Sequence, residues 1–154
     1  MNFIEYLLSA SIISICLTSQ SKIIIQSIEW QDKGVIVTYG EEFSDEDSVN
    51  AETEITSHPK FSSIEFVILD FLKVKNFSIN THVVADSGKN SDNHSIKNSS
   101  LKMAYISNSD VIKGLVNVYS AYQARSELEH QWDMRIFSNS TDALEWVNDS
   151  QVIA

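Results

Sequence analysis

Two periods of apolar and polar positions run along the chain and divide it into strands and helices. Ser27–Trp30 and Val35–Tyr39 alternate as β-strands do, and the polar turn between them ends in Gly34. This segment predicts a hairpin in which Gly34 takes a positive φ. Within Ile64–Phe71, the four consecutive residues Phe66–Leu69 are all apolar, so neither face of the predicted strand is polar. This is typical of a central strand covered from both sides.

Helices are predicted where a residue that can cap a helix precedes apolar residues at helical spacing. Ser44 opens the first helix, because its hydroxyl can accept a hydrogen bond from a free backbone N–H, and the helix should end before Pro59. Ser109 and Ser140 open two more helices in the same way. The inward stripe of the helix after Ser109 consists of Ile112, Leu115, Tyr119 and Tyr122.

The polar run 86–98 has the composition of a loop, but its position favours a solvent-exposed helix. A strand precedes it, Leu101–Ile106 predicts another strand after it, and parallel strands need a crossover between them. Trp132–Phe137 adds the last strand and completes the order ββαβαβαβα. This order predicts an α/β domain at residues 22–150, with a mixed, largely parallel sheet of about five strands and flanking helices.

Charge and cysteine content narrow the classes of function. The chain carries 21 acidic against 11 basic residues, a formal net charge of −10. Nucleic acids and anionic membranes are bound by Lys and Arg, so this balance argues against both as partners. It permits a basic protein partner, although solubility alone also explains it. The only cysteine, Cys16, cannot form an internal disulfide, which favours a cytoplasmic location.

An apolar extension, residues 1–21, precedes the predicted domain. It lacks the basic start of an export signal, and serines interrupt an apolar run that is already short for a membrane span. Ile15 is larger than the small residue usually found before the cysteine of a lipoprotein cleavage site, and a lipid-anchored form is the alternative that stays open. We therefore expect no stable membrane insertion, but an extra helix or strand that packs on the domain or on a second copy. A homodimer of this kind would bury Leu7 and Leu8.

Several short segments between residues 27 and 148 carry a resemblance to a known family. They are Gly34–Gly40, His58–Phe61, Val67–Asp70, Asp110–Tyr122, Arg135–Phe137 and Ala143–Val147. In this order they resemble the SpoIIAA-like proteins, relatives of the STAS domain of bacterial anti-sigma-factor antagonists that share a general shape with Sec14-type lipid-binding domains. The resemblance implies a non-enzymatic regulatory or protein-binding module that acts through a helix surface. The alternative is a carrier of a small apolar or lipid ligand in a Sec14-like pocket.

The resemblance also points to one serine. In anti-sigma-factor antagonists, a serine at the start of the helix after the central strand is phosphorylated by a partner kinase, and the added negative charge switches binding off. The corresponding stretch, Val74–Asn80, lacks the Asp-Ser pair of the family, and Ser78 stands close to the expected place. Ser78 is therefore a candidate phospho-switch. From the residues alone, the simpler interpretation is that Ser78 caps the helix that follows.

Patterns typical of catalysis or of metal binding are missing from the sequence. The four histidines show no metal-ligand spacing, and they are His58, His82, His94 and His130. There is no nucleophile elbow, no phosphate-binding glycine loop and no C-x-x-C pair. We therefore expect a protein that is not an enzyme and that holds neither metal nor cofactor. A hydrolase with dispersed residues would need a cleft in which Asp70 meets a histidine.

A ligand pocket is the second interpretation of one apolar cluster. Tyr119 and Tyr122 on the predicted helix, together with Met103, would pack into the core by default. If that helix stands off the sheet, the same residues would line an apolar pocket with two hydroxyl groups. With Asp70 at the end of the central strand, these are the candidate pocket residues.

Overall fold

The computed structural model describes residues 25–125 and 132–149. The strands are β1 (Ile25–Trp30), β2 (Gly34–Tyr39), β3 (Glu42–Ser44), β4 (Phe66–Asp70), β5 (Asn76–Ser78), β6 (Lys102–Ile106) and β7 (Asp133–Phe137). The helices are α1 (Asp45–Ser57), α2 (Thr81–Ser95), α3 (Asp110–Gln123) and α4 (Ser140–Asn148). In these two ranges no helix combines the length and the apolar character needed to cross a membrane. Leu7, Leu8 and Cys16 lie outside the described residues, so the packing of the extension and the homodimer stay predictions.

Five strands form the main sheet, in the order β1-β2-β4-β6-β7. β1 is antiparallel to β2, whereas β2, β4, β6 and β7 are parallel neighbours. Helices pack on both faces of this mixed, largely parallel sheet, which confirms the predicted fold class. A second, two-stranded parallel sheet of β3 and β5 was not predicted, and it lies where α1 and α2 begin.

Strand β4 separates two apolar layers of the core. Val67 belongs to the layer that includes residues of α1 and α3, whereas Phe66 and Ile68 belong to the layer that includes α4. All three side chains are at most 2% exposed. Positions that are buried on both faces of a sheet leave no place for a polar side chain, which is why Phe66, Val67 and Ile68 are all apolar, and the polar Asp70 comes only at the less buried end of the strand.

Glycine is required at position 34 because there is no room for a side chain, and not because of its backbone conformation. None of the described glycines has a positive φ, so the prediction of a left-handed residue in the hairpin turn is wrong. Gly34 is instead the first residue of β2 and the Cα partner of Phe66 in β4. A Cβ at this position would overlap the Phe66 ring.

Residues 86–95 of the polar run predicted as an exposed helix form the larger part of α2, which is partly buried through small side chains, and residues 96–98 follow the helix. Asn80 is the N-cap, since its side-chain oxygen accepts a hydrogen bond from the His82 N–H at 3.0 Å. The prediction that Ser78 caps this helix is therefore wrong, because Ser78 lies in β5, before the cap. The buried residues of α2 are Val84, Ala85, Gly88, Ser91 and Ser95.

Alanine at Gly88 and at Gly114 should change stability in opposite directions. A Cβ at Gly88 would lie 2.8 Å from the Tyr122 Cβ and 3.1 Å from the Tyr119 carbonyl oxygen, so α2 and α3 would have to move apart. We expect Gly88→Ala to lower the free energy of unfolding by about 1–2 kcal/mol. A Cβ at Gly114 meets nothing within 4 Å, so Gly114→Ala should raise it by about 0.5–1 kcal/mol. Urea unfolding measures both values, and equal effects of the two substitutions would contradict close packing at Gly88.

Candidate functional site

A cavity of about 120 Å³ lies between the main sheet and the helices α1, α2 and α3. Its walls are mainly apolar and aromatic. Among the wall residues are Phe43, Val67, Leu69, Phe71, Leu115 and Trp132. The cavity therefore lies in the larger of the two apolar layers, on the face of the sheet opposite α4.

The four candidate pocket residues occupy different places. Met103 and Tyr119 line the cavity. Tyr122 lies outside its wall, with the Lys89 Nζ 5.3 Å and the Arg125 Cζ 5.2 Å from its ring centre. Asp70 also lies outside, and its Oδ1 accepts a hydrogen bond from the Leu72 N–H at 2.9 Å. The structure thus brings Met103 and Tyr119 together and leaves Asp70, the last residue of β4, outside the cavity wall.

Three polar side chains connect α1 with α2 at the edge of the cavity. The Glu52 Oε1 lies 3.1 Å from the His94 Nε2, and the Glu52 Oε2 accepts a hydrogen bond from the Ser87 hydroxyl. The side chains of His94 and Glu52 are only 20% and 27% exposed. All three residues line the inner cavity and also an outer groove of about 440 Å³ between the same helices. They therefore stand between the cavity and solvent.

The carboxyl group of Glu52 is held in its ionised form. Burial raises the pKa of Glu52, but the hydrogen bonds from His94 and Ser87 lower it more, so that the pKa lies below its ordinary value. A carboxylate that accepts two hydrogen bonds is stabilised as the anion. A negative charge therefore stands at the rim of an apolar cavity at neutral pH.

Two other polar atoms of the site are poorly paired. The His94 Nδ1 is buried and has no hydrogen-bond partner. The Tyr105 hydroxyl lies 4.0 Å from the Met103 sulfur and 3.9 Å from the Met134 sulfur, which are weak acceptors. Burial, followed by the charge of Glu52, raises the pKa of Tyr105 far above its usual range, so this hydroxyl keeps its proton.

The arrangement differs from that of a serine hydrolase. In a catalytic triad the histidine stands between the serine and the acid, and it takes the serine proton. Here Glu52 stands in the middle, and the Ser87 hydroxyl donates to the carboxylate. Asp70 accepts a hydrogen bond from the Leu72 N–H, and among the described residues no hydrogen bond or ion pair joins Asp70 to a histidine.

Ser78 lies on a different surface, where two helices begin side by side. It is exposed in β5 and is the Cα partner of Ser44, the N-cap of α1. The Asn80 N–H, at the start of α2, donates to the Asp45 Oδ1 at 2.7 Å. The first turn of α1 holds three acidic residues, whereas the first turn of α2 holds none. The amino terminus of α2 is therefore the less neutralised of the two helix dipoles.

Sequence reasoning missed the cluster of Glu52, Ser87 and His94. Glu52 is separated by 35 residues from Ser87 and by 42 residues from His94, so no local motif contains all three. A signal was nevertheless available in α2, where small residues recur at helical spacing and mark a face that packs against other helices.

The sheet order and the helices on both faces define an α/β domain of the SpoIIAA-like fold. The sequence matches no family model and no curated protein. SpoIIAA, a cell fate determinant of Bacillus whose structure was solved in the phosphorylated form, is 11% identical and has a TM-score of 0.51, over 79% of this chain and 97% of that chain. An uncharacterised protein of the DUF3478 family with a SpoIIAA-like fold, from Shewanella loihica PV-4, is 14% identical and has a TM-score of 0.47, over 79% and 90%. The structural likeness to SpoIIAA confirms the predicted fold.

The Sec14-like alternative receives no such support. The structural likeness that supports the fold is the one to SpoIIAA. The cavity of about 120 Å³ is also small, because pockets for drug-sized ligands have volumes of roughly 300–1,000 Å³. A lipid chain therefore does not fit the cavity as it stands.

Proposed function

We propose that this chain is a non-enzymatic regulatory module that acts by binding another protein, and that Ser78 controls the binding surface. The observation that carries the proposal is the position of Ser78, exposed on β5 between the central strand and α2. The fold supports it, because SpoIIAA, which has this fold, is described as a cell fate determinant and is known in a phosphorylated form.

A phosphate on Ser78 would change this surface in two ways. It would add a charge of about −1.5 to −2 in the shallow depression that Ser78 shares with Asp45, and the two negative groups would repel each other. It would also lie close to the amino terminus of α2, whose first turn holds no acidic residue. The N–H groups at the start of a helix attract phosphate. Phosphorylation would thus favour a new arrangement in which Asp45 releases the Asn80 N–H.

The partner surface that fits this region is basic. The chain has a net charge of −10, and the first turn of α1, whose N-cap Ser44 is the Cα partner of Ser78, holds three acidic residues. Acidic surfaces attract basic partners over a distance that salt shortens to about 8–10 Å at physiological ionic strength. Binding should therefore weaken as salt is added.

The substitution Ser78→Glu should weaken partner binding by about tenfold or more. The carboxylate is repelled by Asp45 and disrupts the contact between Asp45 and the Asn80 N–H, as a phosphate would, and this loss of the fitted surface outweighs the added attraction for a basic partner. Ser78→Ala removes only the hydroxyl and should leave binding intact. Ser99→Glu is the matched control, because it adds the same charge at an exposed serine before β6. Partners are captured on the purified chain from its native host, and the affinity of each for the three variants is then measured by calorimetry.

Two results would reject the proposal. One is that no protein is captured at any salt concentration. The other is that Ser78→Glu and Ser99→Glu bind a captured partner equally well. Mass spectrometry of the protein from its host tests the modification separately, since phosphorylation predicts an increment of one phosphate on the peptide that contains Ser78.

A further inference from the structure

The inner cavity has more hydrogen-bonding capacity than the protein itself uses. The His94 Nδ1 has no partner, and the Tyr105 hydroxyl has only two thioether sulfurs near it. Buried polar atoms are nearly always paired, because an unpaired one costs about 1–3 kcal/mol. An unpaired nitrogen of His94 and a weakly paired hydroxyl of Tyr105, on two residues that line one cavity, leave hydrogen-bonding capacity open to another molecule.

On the side of the cavity formed by α1 and α2, the protein offers hydrogen-bond acceptors, so a ligand that binds there must supply a donor. In the neutral imidazole whose Nε2–H donates to Glu52, the Nδ1 of His94 carries a lone pair and can only accept. The Glu52 carboxylate beside it is an anion with room for further hydrogen bonds. A second carboxylate would be repelled there, whereas an ammonium group would gain both an ion pair and a hydrogen bond.

The size and the walls of the cavity limit the rest of the ligand. An apolar cavity of about 150 Å³ takes up benzene, so a cavity of about 120 Å³ holds a compact apolar group of about six heavy atoms. Phe43, Phe71 and Leu115 supply apolar surface for such a group. Glu52, Ser87 and His94 also line the outer groove, so a ligand that enters between α1 and α2 would pass these three side chains.

We propose that this cavity is a binding site for a small primary amine with a compact apolar body, the amine held by Glu52 and His94 and the body held among the aromatic and aliphatic wall residues. This site is separate from the Ser78 surface and does not depend on the proposed function.

Titration of the full-length chain with three small probes tests the proposal. Benzylamine, benzyl alcohol and benzoate share a ring and differ in the charge of the attached group. Protein NMR should show that benzylamine shifts the resonances of Leu115 and Met103, that benzyl alcohol binds about tenfold more weakly, and that benzoate does not bind. Equal binding of all three probes, or no binding of benzylamine at millimolar concentration, would overturn the proposal. This test needs only the unmodified chain.

A pair of variants then tests whether the Glu52 carboxylate is the group that holds the amine. Glu52→Gln keeps the shape of the side chain and removes its charge, and it should weaken benzylamine binding by about tenfold while leaving benzyl alcohol unchanged. Glu54→Gln is the matched control on the same helix, where Glu54 is exposed and does not line the cavity. If both variants bind benzylamine as the unmodified chain does, Glu52 does not hold the amine and the proposal fails.

Discussion

Ile68→Ala is expected to lower the free energy of unfolding by about 3–4 kcal/mol. Ile68 is 1% exposed near the centre of β4, in the layer that also contains Ala104, Ala143 and Val147. Truncation removes apolar contacts and leaves a cavity between the sheet and α4, which the small neighbouring side chains cannot fill. Domains of this kind are stable by only about 5–15 kcal/mol, so the loss is a large part of the total.

The same substitution at an exposed isoleucine is the control. Ile96 lies just after α2 and is 76% exposed, so Ile96→Ala should change the free energy of unfolding by no more than about 0.5 kcal/mol. Urea unfolding followed by circular dichroism measures both variants. A loss for Ile68→Ala that is no larger than the loss for Ile96→Ala would mean that β4 is not buried on the face towards α4.

The central strand β4 was predictable because burial on both faces leaves a continuous apolar run in the sequence. Phe66, Val67 and Ile68 are each buried, and a short continuous apolar run between polar turns is typical of a strand covered on both sides. The short strands β3 and β5 leave no such mark. Each has three residues with one apolar side chain, Phe43 in β3 and Phe77 in β5, which is too short to show a period of two.

Helix α2 shows why polarity is a poor guide to exposure. Its sequence contains serine, glycine and asparagine, and it was predicted as a helix only because a crossover was needed there. The small residues Gly88, Ser91 and Ser95 are nevertheless buried, and the Ser91 and Ser95 hydroxyls donate to backbone carbonyls within the helix. A small polar side chain that satisfies its own hydrogen bond can pack as alanine does, and hydropathy does not detect this.

The candidate site was also only partly predictable from the sequence. Tyr119 was found because the inward stripe of α3 has helical spacing, and the cavity lies under that stripe. Tyr122 follows on the same stripe but lies against Gly88 of α2, a neighbour that only the tertiary structure reveals. Glu52 and His94 come from separate helices, and their pairing depends on the packing of α1 against α2. Spacing in the sequence therefore predicts which face of a helix points inward, but not what it meets there.

The Ser78 surface and the cavity involve the same two helices and can still be tested independently. Asp45 and Asn80 join the beginnings of α1 and α2, whereas Glu52 joins α1 to Ser87 and His94 further along α2. Ser78→Glu alters the first contact and leaves the Glu52 carboxylate in place, and Glu52→Gln does the reverse. Loss of partner binding and loss of amine binding should therefore follow different substitutions.

Asn98→Ala is expected to lower the free energy of unfolding by about 2–4 kcal/mol, although Asn98 is polar and lies in a loop. Its side chain is buried, and the Nδ2 donates to the carbonyls of Phe61 and Ile64, each at 2.8 Å. Alanine leaves both carbonyls without this donor in the interior. The backbone carbonyl of Asn98, which accepts a hydrogen bond from the Trp132 Nε1 at 2.8 Å, would remain.

Two further variants separate hydrogen bonding from volume at this position. Asn98→Asp keeps the size of the side chain but replaces the two N–H donors by an acceptor, so it should destabilise the protein at least as much as alanine. Asn93→Ala is the control, because Asn93 is exposed on α2 and alanine favours the helix, so the free energy of unfolding should stay the same or rise slightly. Urea unfolding followed by tryptophan fluorescence reports on all three variants. The result that contradicts this prediction is an Asn98→Asp variant as stable as the unmodified chain. The hydrogen bonds that Asn98 donates to Phe61 and Ile64 would then not be the interactions that hold this loop beneath the cavity.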